Sequence, residues 1–539
     1  MKWSVYYLLL LLLVFLYGIN IYSLTSVDSA PPMWDEAVHL RDSLVYYNIL
    51  GNPSQINLEV IKDIINKSEQ YPLLRPSGYY PPMAPILTSF LYLIFGTSAK
   101  VAIMSNVIFI FILVFSVYKI GTLMFDRNVG LLASVLILLF PIVLKHSVIY
   151  YLDLPLTAMV VLGTFFILKS DYFQNTTFSV ISGFCFGLGM LTKWTYLFFV
   201  LGPLSYLALR AFYPATAQEG ALEEDYHFKK PLRNIALFVL ASVATFGPYY
   251  FPILPALIGE TLRFSGGPIA HGPDSLLSSA SVYFYPAALW NDMITPVGLV
   301  LFVAGLILLL FSKSKQKTFL LIWILIPYCI FTFLIQNKQP RYMMPWLIPI
   351  SLLISFFIIE VGFIKVLDGR VALKRYAVSL FLILFSILFF RENLQLRNTI
   401  IDNSREEWKV KEIVSAIEED MNGIGRINRY DVPMYVGIIP DHRYINGQTI
   451  RYYTTLKMLP LNVIKLQNYE GTAFEEFVQK FDRYDYILTK NWANMALSSF
   501  QESVDRMHEF FYSHIGSFRH LRSFQEPDGS EVSLFKRLR

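Results

Sequence analysis

Cysteine and charge are both scarce in this chain. Only two cysteines, Cys185 and Cys329, occur in 539 residues, and each lies inside an apolar run. That argues against a disulfide framework or a cysteine metal site, and the two read better as small packing residues. Charged residues make up 16%, against roughly a quarter in an ordinary soluble domain, so a soluble protein is excluded. The formal net charge of +5 is small for this length, and the basic residues fall in short loops between apolar runs. Nothing in that pattern calls for a nucleic-acid partner. Internal repeats and low-complexity segments are lacking too, which counts against a transporter built from repeated broken helices.

What the chain has is apolar surface: 55% of it is hydrophobic, with a mean hydropathy of +0.46. The first apolar run, Tyr6 to Tyr22, is long enough to cross about 30 Å of hydrocarbon. It is expected to stay as an anchor with the N-terminus in the cytoplasm, because Asp28-Ser29-Ala30 puts a charge where a signal-peptide cleavage site needs a small residue. Further apolar stretches at 101–120, 129–149, 154–168, 178–192, 195–211, 234–253, 284–311, 318–335, 343–363 and 376–390 raise the prediction to about eleven crossings. Met83 to Phe95 is short and proline-fronted, so it is expected to pack against or dip into the membrane.

Charge bias tests that layout. It places Lys119 and Arg127, Lys169, Lys229-Lys230 with Arg233, Lys313-Lys315-Lys317, and Lys365, Arg370, Lys374 and Arg375 in inside loops, as the concentration of basic residues in short cytoplasmic loops requires. An odd number of crossings leaves the C-terminal region outside. The expected division is therefore a transmembrane part, 1–391, with a first outer loop at 24–82, and an extracytoplasmic soluble α/β domain, 392–539. In that domain the pattern predicts helices over Glu406–Glu419, Phe474–Phe481 and Ala496–His514, strands at Met434–Ile439 and Tyr486–Thr489, and a closing hairpin around Pro527-Asp528-Gly529-Ser530.

The outer loops carry residues that a merely structural membrane protein has little use for. Trp34-Asp35-Glu36 sets adjacent carboxylates just beyond the first apolar run, although acids at a helix start also simply complement its dipole. Tyr79-Tyr80-Pro81-Pro82 precedes the short apolar helix, and Tyr150-Tyr151-Leu152-Asp153 puts a lone carboxylate at a membrane boundary. A carboxylate there is costly against lipid, so Asp153 is expected to face protein or water. Lys193-Trp194 ends another run, where a lysine could equally snorkel. A glycine- and proline-rich loop holds His271, which on sequence alone reads better as an ordinary loop histidine than as a ligand, and Lys338-Gln339-Pro340-Arg341-Tyr342 supplies further cations. A carboxylate near cations at a membrane boundary suits attack on a carbon bound to a lipid phosphate: the acid takes the acceptor's proton and the cations meet the charge growing on the departing phosphate.

As an ordered set over roughly residues 1–360, Trp34-Asp35-Glu36, Tyr80-Pro81-Pro82, Leu152-Asp153-x-Pro155, Leu191-Thr192-Lys193 and Lys338-x-Pro340-Arg341-Tyr342-x-x-Pro345 resemble the GT-C glycosyltransferases of the protein O-mannosyltransferase and lipid A aminoarabinose transferase type. The resemblance implies a mainly α polytopic GT-C fold with a C-terminal extracytoplasmic α/β domain. It also implies inverting transfer of a sugar from a polyprenyl-phosphate donor, undecaprenyl or dolichyl, to a lipid, glycan or protein acceptor at the outer face of the cytoplasmic membrane. Carried over, Asp35 is the catalytic base, Glu36 shapes its turn, and Asp153 orients the acceptor or the first loop. Lys193, Lys338 and Arg341 contact the donor phosphate, with Trp34, Tyr79, Tyr80, Trp194, His271 and Tyr342 around the substrate. The lipid A enzyme has an acid and a lysine ahead of its proline where this chain reads Tyr79-Tyr80-Pro81. A divalent cation is therefore not supported, and no metal or other cofactor is assigned. A lipid transporter or flippase without covalent chemistry is the competing reading.

Overall fold

A computed structural model describes residues 5–53, 71–212, 229–266, 275–314, 316–361, 371–423, 433–465, 473–491 and 501–538. The chain forms two compact units: Met1–Ser23 with Met104–Arg397, and Leu24–Ile103 with Asn398–Arg539. The boundary differs from the one expected at 391/392, because residues 24–103 fold with the C-terminal part rather than with the apolar helices.

The first unit is helical. Among the described residues of the whole chain, five helical stretches, three of which reach into the second unit, are long and apolar enough to cross a membrane: Val5–Ser26, Ala99–Met124, Lys229–Pro255, Pro340–Glu360 and Ser379–Gly423. A bent pair, Arg127–Leu139 with Pro141–Ser147, makes a sixth if it is one span. The other expected crossings are helical too, but Thr176–Met190, Tyr196–Phe212, Thr295–Phe311 and Lys317–Phe333 are only 15 to 17 residues long. At about 1.5 Å per residue they fall short of a hydrocarbon core of about 30 Å. The chain is a multi-pass membrane protein, with fewer full-length spans among the described residues than the eleven expected.

Two glycines let these helices close on one another. A Cβ on Gly189 would stand 2.3 Å from the Tyr196 ring, and one on Gly163 would stand 2.0 Å from the Tyr196 hydroxyl. Tyr196, fully buried, therefore lies where the missing side chains leave room, and this packing frames the turn 191–195 between Thr176–Met190 and Tyr196–Phe212.

The second unit is α/β. Its mixed sheet has the order β2-β1-β3-β5-β4, with β1 Met434–Ile438, β2 Leu461–Lys465, β3 Tyr486–Lys490, β4 Phe518–Gln525 and β5 Glu531–Arg537. β1 pairs in parallel with β2 and β3, while β5 runs antiparallel to β3 and β4. Phe477, Phe481, Ile487, Phe511, Phe518 and Phe535 form its core. The expected amphipathic helix is present as Val410–Gly423, burying Val410, Ile413, Val414, Ile417 and Met421 at helical spacing. The expected hairpin turns at Gly529, whose φ of +78° suits a residue without a Cβ. Strand β2 and the helix Gly447–Leu456 were not anticipated. The helix expected over Ala496–His514 is described as Gln501–Ser513, residues 496–500 lying outside the described part.

Residues 24–103 enter this unit through the helix Trp34–Gly51, which packs on Gly447–Leu456. Thr449 Oγ1 donates to the Pro32 carbonyl at 3.0 Å, and the Ser29 N–H donates to Ser404 Oγ at 2.9 Å. Polar contacts far apart in sequence therefore bind residues 24–103 to the C-terminal part.

Candidate functional site

In the first unit, three charged side chains from separate elements meet. Asp153 begins the helix Asp153–Lys169, Lys193 sits in the turn after Met190, and Arg341 lies in the 3-10 turn Pro340–Trp346. Lys193 Nζ is 2.7 Å from Asp153 Oδ1, and an Arg341 guanidinium nitrogen is 3.8 Å from Oδ2. Side-chain exposure is 2% for Asp153 but 15% for Lys193 and 13% for Arg341. The carboxylate is sunk and both cations keep an open side. Aromatic faces flank them: Arg341 lies 4.4 Å over the Tyr151 ring and 5.3 Å over Tyr342, and Lys193 lies 5.0 Å over Tyr342. Arg341 Nε donates to Gln339 Oε1 at 2.7 Å, which fixes the guanidinium plane. Two cations against one carboxylate leave a formal charge of +1; the rings hold the cations in place, and their partial burial strengthens their attraction for an anion relative to open water.

Lys338 does not join this group. Its buried Nζ donates to the carbonyls of Phe331 at 2.6 Å, Thr332 at 3.0 Å and Ile335 at 2.7 Å. These carbonyls lie at and just beyond the end of the helix Lys317–Phe333, where the backbone runs out of intrahelical donors; that of Thr332 also accepts from Ser281 Oγ at 3.0 Å. The ammonium is occupied as a helix cap, so the donor-phosphate contact expected for Lys338 is replaced by a structural one. Trp194 packs edge-on to Phe198 at 5.7 Å. His271 lies outside the described residues.

In the second unit, Asp35 and Glu36 stand in the first turn of Trp34–Gly51. The Tyr80 hydroxyl donates to Asp35 Oδ1 at 3.2 Å, Tyr79 stacks edge-on against Tyr80 at 4.9 Å, and His39 meets Tyr80 at 4.4 Å. Glu36 acts on different neighbours. Burial first, and then its charge, push the Tyr452 phenol above its ordinary range, and burial, Tyr452 and then Glu36 do the same for Tyr453. The backbone at Trp34 is strained, with φ +24° in a region that favours glycine, and strain of this kind gathers at functional sites.

The loop that delivers Tyr80 is clamped by residues the sequence did not single out. Asp42, on the same helix as Asp35, accepts from the Ser77 N–H at 2.9 Å and from Ser77 Oγ at 2.5 Å, while Arg41 donates to the carbonyls of Pro72 and Arg75. Burial raises the Asp42 carboxyl, opposed by Arg41 and the Ser77 donors. Among the described residues no group of three or more His, Cys, Asp and Glu side chains is placed to hold a metal ion.

Comparison with known proteins gives the fold a class. Residues 79–218 match the family described as dolichyl-phosphate-mannose-protein mannosyltransferase. The structure is similar to that of ArnT from Cupriavidus metallidurans bound to undecaprenyl phosphate, with a TM-score of 0.60 and 12% identity over 97% of each chain. It is also similar to the Archaeoglobus fulgidus oligosaccharyltransferase tethered to an acceptor peptide containing the NVT sequon, with a TM-score of 0.54 and 14% identity over 90% of this chain and 69% of that one. No curated sequence matches. The chain has the GT-C glycosyltransferase fold, of the ArnT-like kind.

Proposed function

We propose that the chain is an inverting glycosyltransferase. It takes a sugar from a polyprenyl-phosphate donor, undecaprenyl or dolichyl, and passes it to a lipid, glycan or protein acceptor at the outer face of the cytoplasmic membrane. The observation that carries this reading is the Asp153–Lys193–Arg341 group on its aromatic bed, in a GT-C fold. A donor of this kind is a phosphodiester with one negative charge. When the bond from the anomeric carbon to the phosphate oxygen breaks, its electron pair stays on the phosphate, which becomes a monoester with more charge. Lys193 and Arg341 gain attraction as that charge grows, which lowers the barrier rather than merely holding the donor.

Asp153 holds the two cations in place and is in that sense a positioning residue. Asp35 is the base that removes the proton from the acceptor's attacking hydroxyl or amine, with the Tyr80 hydroxyl orienting its carboxylate. Glu36 shapes the turn, and Trp34 and Tyr79 line it. The N-terminus is cytoplasmic and the C-terminal α/β unit extracytoplasmic.

The test is to mix the purified full-length protein with polyprenyl-phosphate sugars and acceptor fractions and to follow free polyprenyl phosphate. Its release in step with glycosylated product supports transfer. Movement of the intact lipid across a vesicle membrane with no covalent change would instead establish a flippase.

A further inference from the structure

His146 has no part in the chemistry above, yet it lies beside the cation pair. The helices Arg127–Leu139 and Pro141–Ser147 are the halves of a broken span, bent by 64°. Pro141 explains the break, because it cannot donate to the preceding turn and forces Phe140 into an extended conformation, ψ 131°. The short second half carries His146 and ends where Asn106 Nδ2 donates to the carbonyls of Ser147 at 3.0 Å and Ile149 at 3.2 Å. Those bonds fix the path into Tyr151 and Asp153.

The surroundings of Pro141–Ser147 are irregular in a way that regular spans are not. The π-turn Leu289–Met293, the 3-10 turn Pro340–Trp346 that bears Arg341, and the helix Asp153–Lys169 all pack against it. Irregular backbone inside a membrane bundle is tolerated where it is buried in protein or lines a cavity, and π-turns often mark functional sites. The His146 ring lies 5.9 Å from that of Tyr151, the same ring that Arg341 covers. Asp153, Arg341, Lys145 and Lys193 are its charged neighbours. His146 is 6% exposed, and its Nδ1 is buried with no hydrogen-bond partner among the described residues. Such an atom needs a partner that the polypeptide does not supply.

We propose that His146 is a further binding residue of the anion site, its Nδ1–H donating to an oxygen of the lipid phosphate that Lys193 and Arg341 hold. The proposal rests on the donor-phosphate reading of those cations. In this role the imidazole is neutral, protonated on Nδ1, and adds a directional bond to the two point attractions. A phosphate oxygen accepts such a bond without a proton changing hands.

Binding of undecaprenyl phosphate to the full-length protein in detergent tests this with His146→Ala, His146→Asn, His146→Gln and Lys193→Ala. The Asn amide N–H occupies the place of Nδ1–H, while that of Gln extends toward Nε2, so the two differ in where they donate. A difference between them reports on the bond. The expected result is that His146→Ala and His146→Gln weaken binding roughly tenfold or more, as for loss of a hydrogen bond to a charged group, and that His146→Asn stays near the wild type. If His146→Ala binds normally, or His146→Asn is as weak as His146→Ala, while Lys193→Ala binds poorly, the proposal falls and the phosphate reading stands. If Lys193→Ala also binds normally, the phosphate reading itself falls. Inorganic phosphate serves as competitor to separate the two sources of the anion. Weak displacement supports a lipid-borne phosphate, and full displacement at concentrations equal to the lipid would overturn that assignment.

Discussion

The Lys193 ammonium stands 2.7 Å from Asp153 Oδ1, and that contact joins the turn after one apolar helix to the first residue of another. Arg341 reaches the second carboxylate oxygen at 3.8 Å. The carboxylate is thus committed on both sides, and what remains outward is the positive charge of its partners.

Asp153→Asn removes the counter-charge and leaves two cations facing each other across a nearly buried amide. Breaking a buried pair by neutralising one partner costs about 3–5 kcal/mol, and the partial exposure of Lys193 and Arg341 lowers the expected loss to about 2–3 kcal/mol. The expected outcome is a clearly lower melting temperature of the full chain in detergent, together with weaker donor binding. A variant as stable as the wild type would show that the three charges do not depend on one another.

For Lys338→Met the expectation is different. The carbonyls of Phe331 and Ile335 lose the Lys338 donor while that of Thr332 keeps Ser281 Oγ, at about 1–3 kcal/mol for carbonyls left unsatisfied. Thermal stability should fall while the donor KM stays within about twofold, a change of under half a kcal/mol. A large rise in KM with unchanged stability would return Lys338 to the phosphate-binding role expected from its place beside Pro340 and Arg341.

That contrast shows what the sequence held. Asp153, Lys193 and Arg341 were legible because charge is costly at the end of an apolar run and must be accounted for. Lys338 obeyed the same rule, but its cost is met by backbone carbonyls, and no pattern of residues distinguishes a cap from a ligand. The membrane helices were legible from apolar length, and the Val410–Gly423 helix and the Gly529 hairpin from periodicity and turn chemistry. The membership of residues 24–103 in the α/β unit was not, because contacts such as Thr449 to Pro32 span 417 positions. His146 was hidden for a related reason: one histidine in an apolar run is usually a packed one, and only its unpartnered Nδ1 sets it apart.

Gly189→Ala tests the packing that frames the Lys193 turn. The added Cβ would stand 2.3 Å from the Tyr196 ring, far inside contact distance, and overpacking of this kind costs about 1–3 kcal/mol. Both melting temperature and affinity for polyprenyl phosphate should fall, because the helix that carries the collision leads directly into Lys193. Loss of stability alone, with affinity intact, would detach the turn from the packing beneath it.

Two groups in the α/β unit set opposed pH dependences. Burial pushes the Glu526 carboxyl from 4.5 up to about 7, and burial, with Lys490 nearby, pulls His442 from 6.5 down to about 4. Folded Glu526 holds a proton that the unfolded chain has released, so its contribution is fullest below 4.5 and is lost as pH rises through 7. Folded His442 sheds a proton that the unfolded chain keeps, so its contribution is full above 6.5 and is lost as pH falls toward 4. Over the shared range the slopes largely cancel. Glu526→Gln should therefore expose a loss of stability on acidification, and His442→Asn a loss on raising the pH, each on the order of 2–3 kcal/mol. Thermal melts of the full chain from pH 4 to 8 check both signs.

Asp35→Asn keeps the shape of the carboxylate and removes its capacity to take a proton. Turnover should drop by roughly 10²–10⁴, the usual contribution of a general base, with donor binding unchanged. Tyr80→Phe, which deletes only the donor to Asp35 Oδ1, should lower turnover by about tenfold or less. Equal loss in both would make the tyrosine, not the acid, the group that matters.

The most direct test of the account is a density map of the full chain with undecaprenyl phosphate bound. The account predicts the phosphate within hydrogen-bond reach of Lys193 Nζ and the Arg341 guanidinium, with the tyrosine faces of Tyr151 and Tyr342 alongside. A phosphate seated away from both cations, with the Asp153 contacts undisturbed, would contradict it.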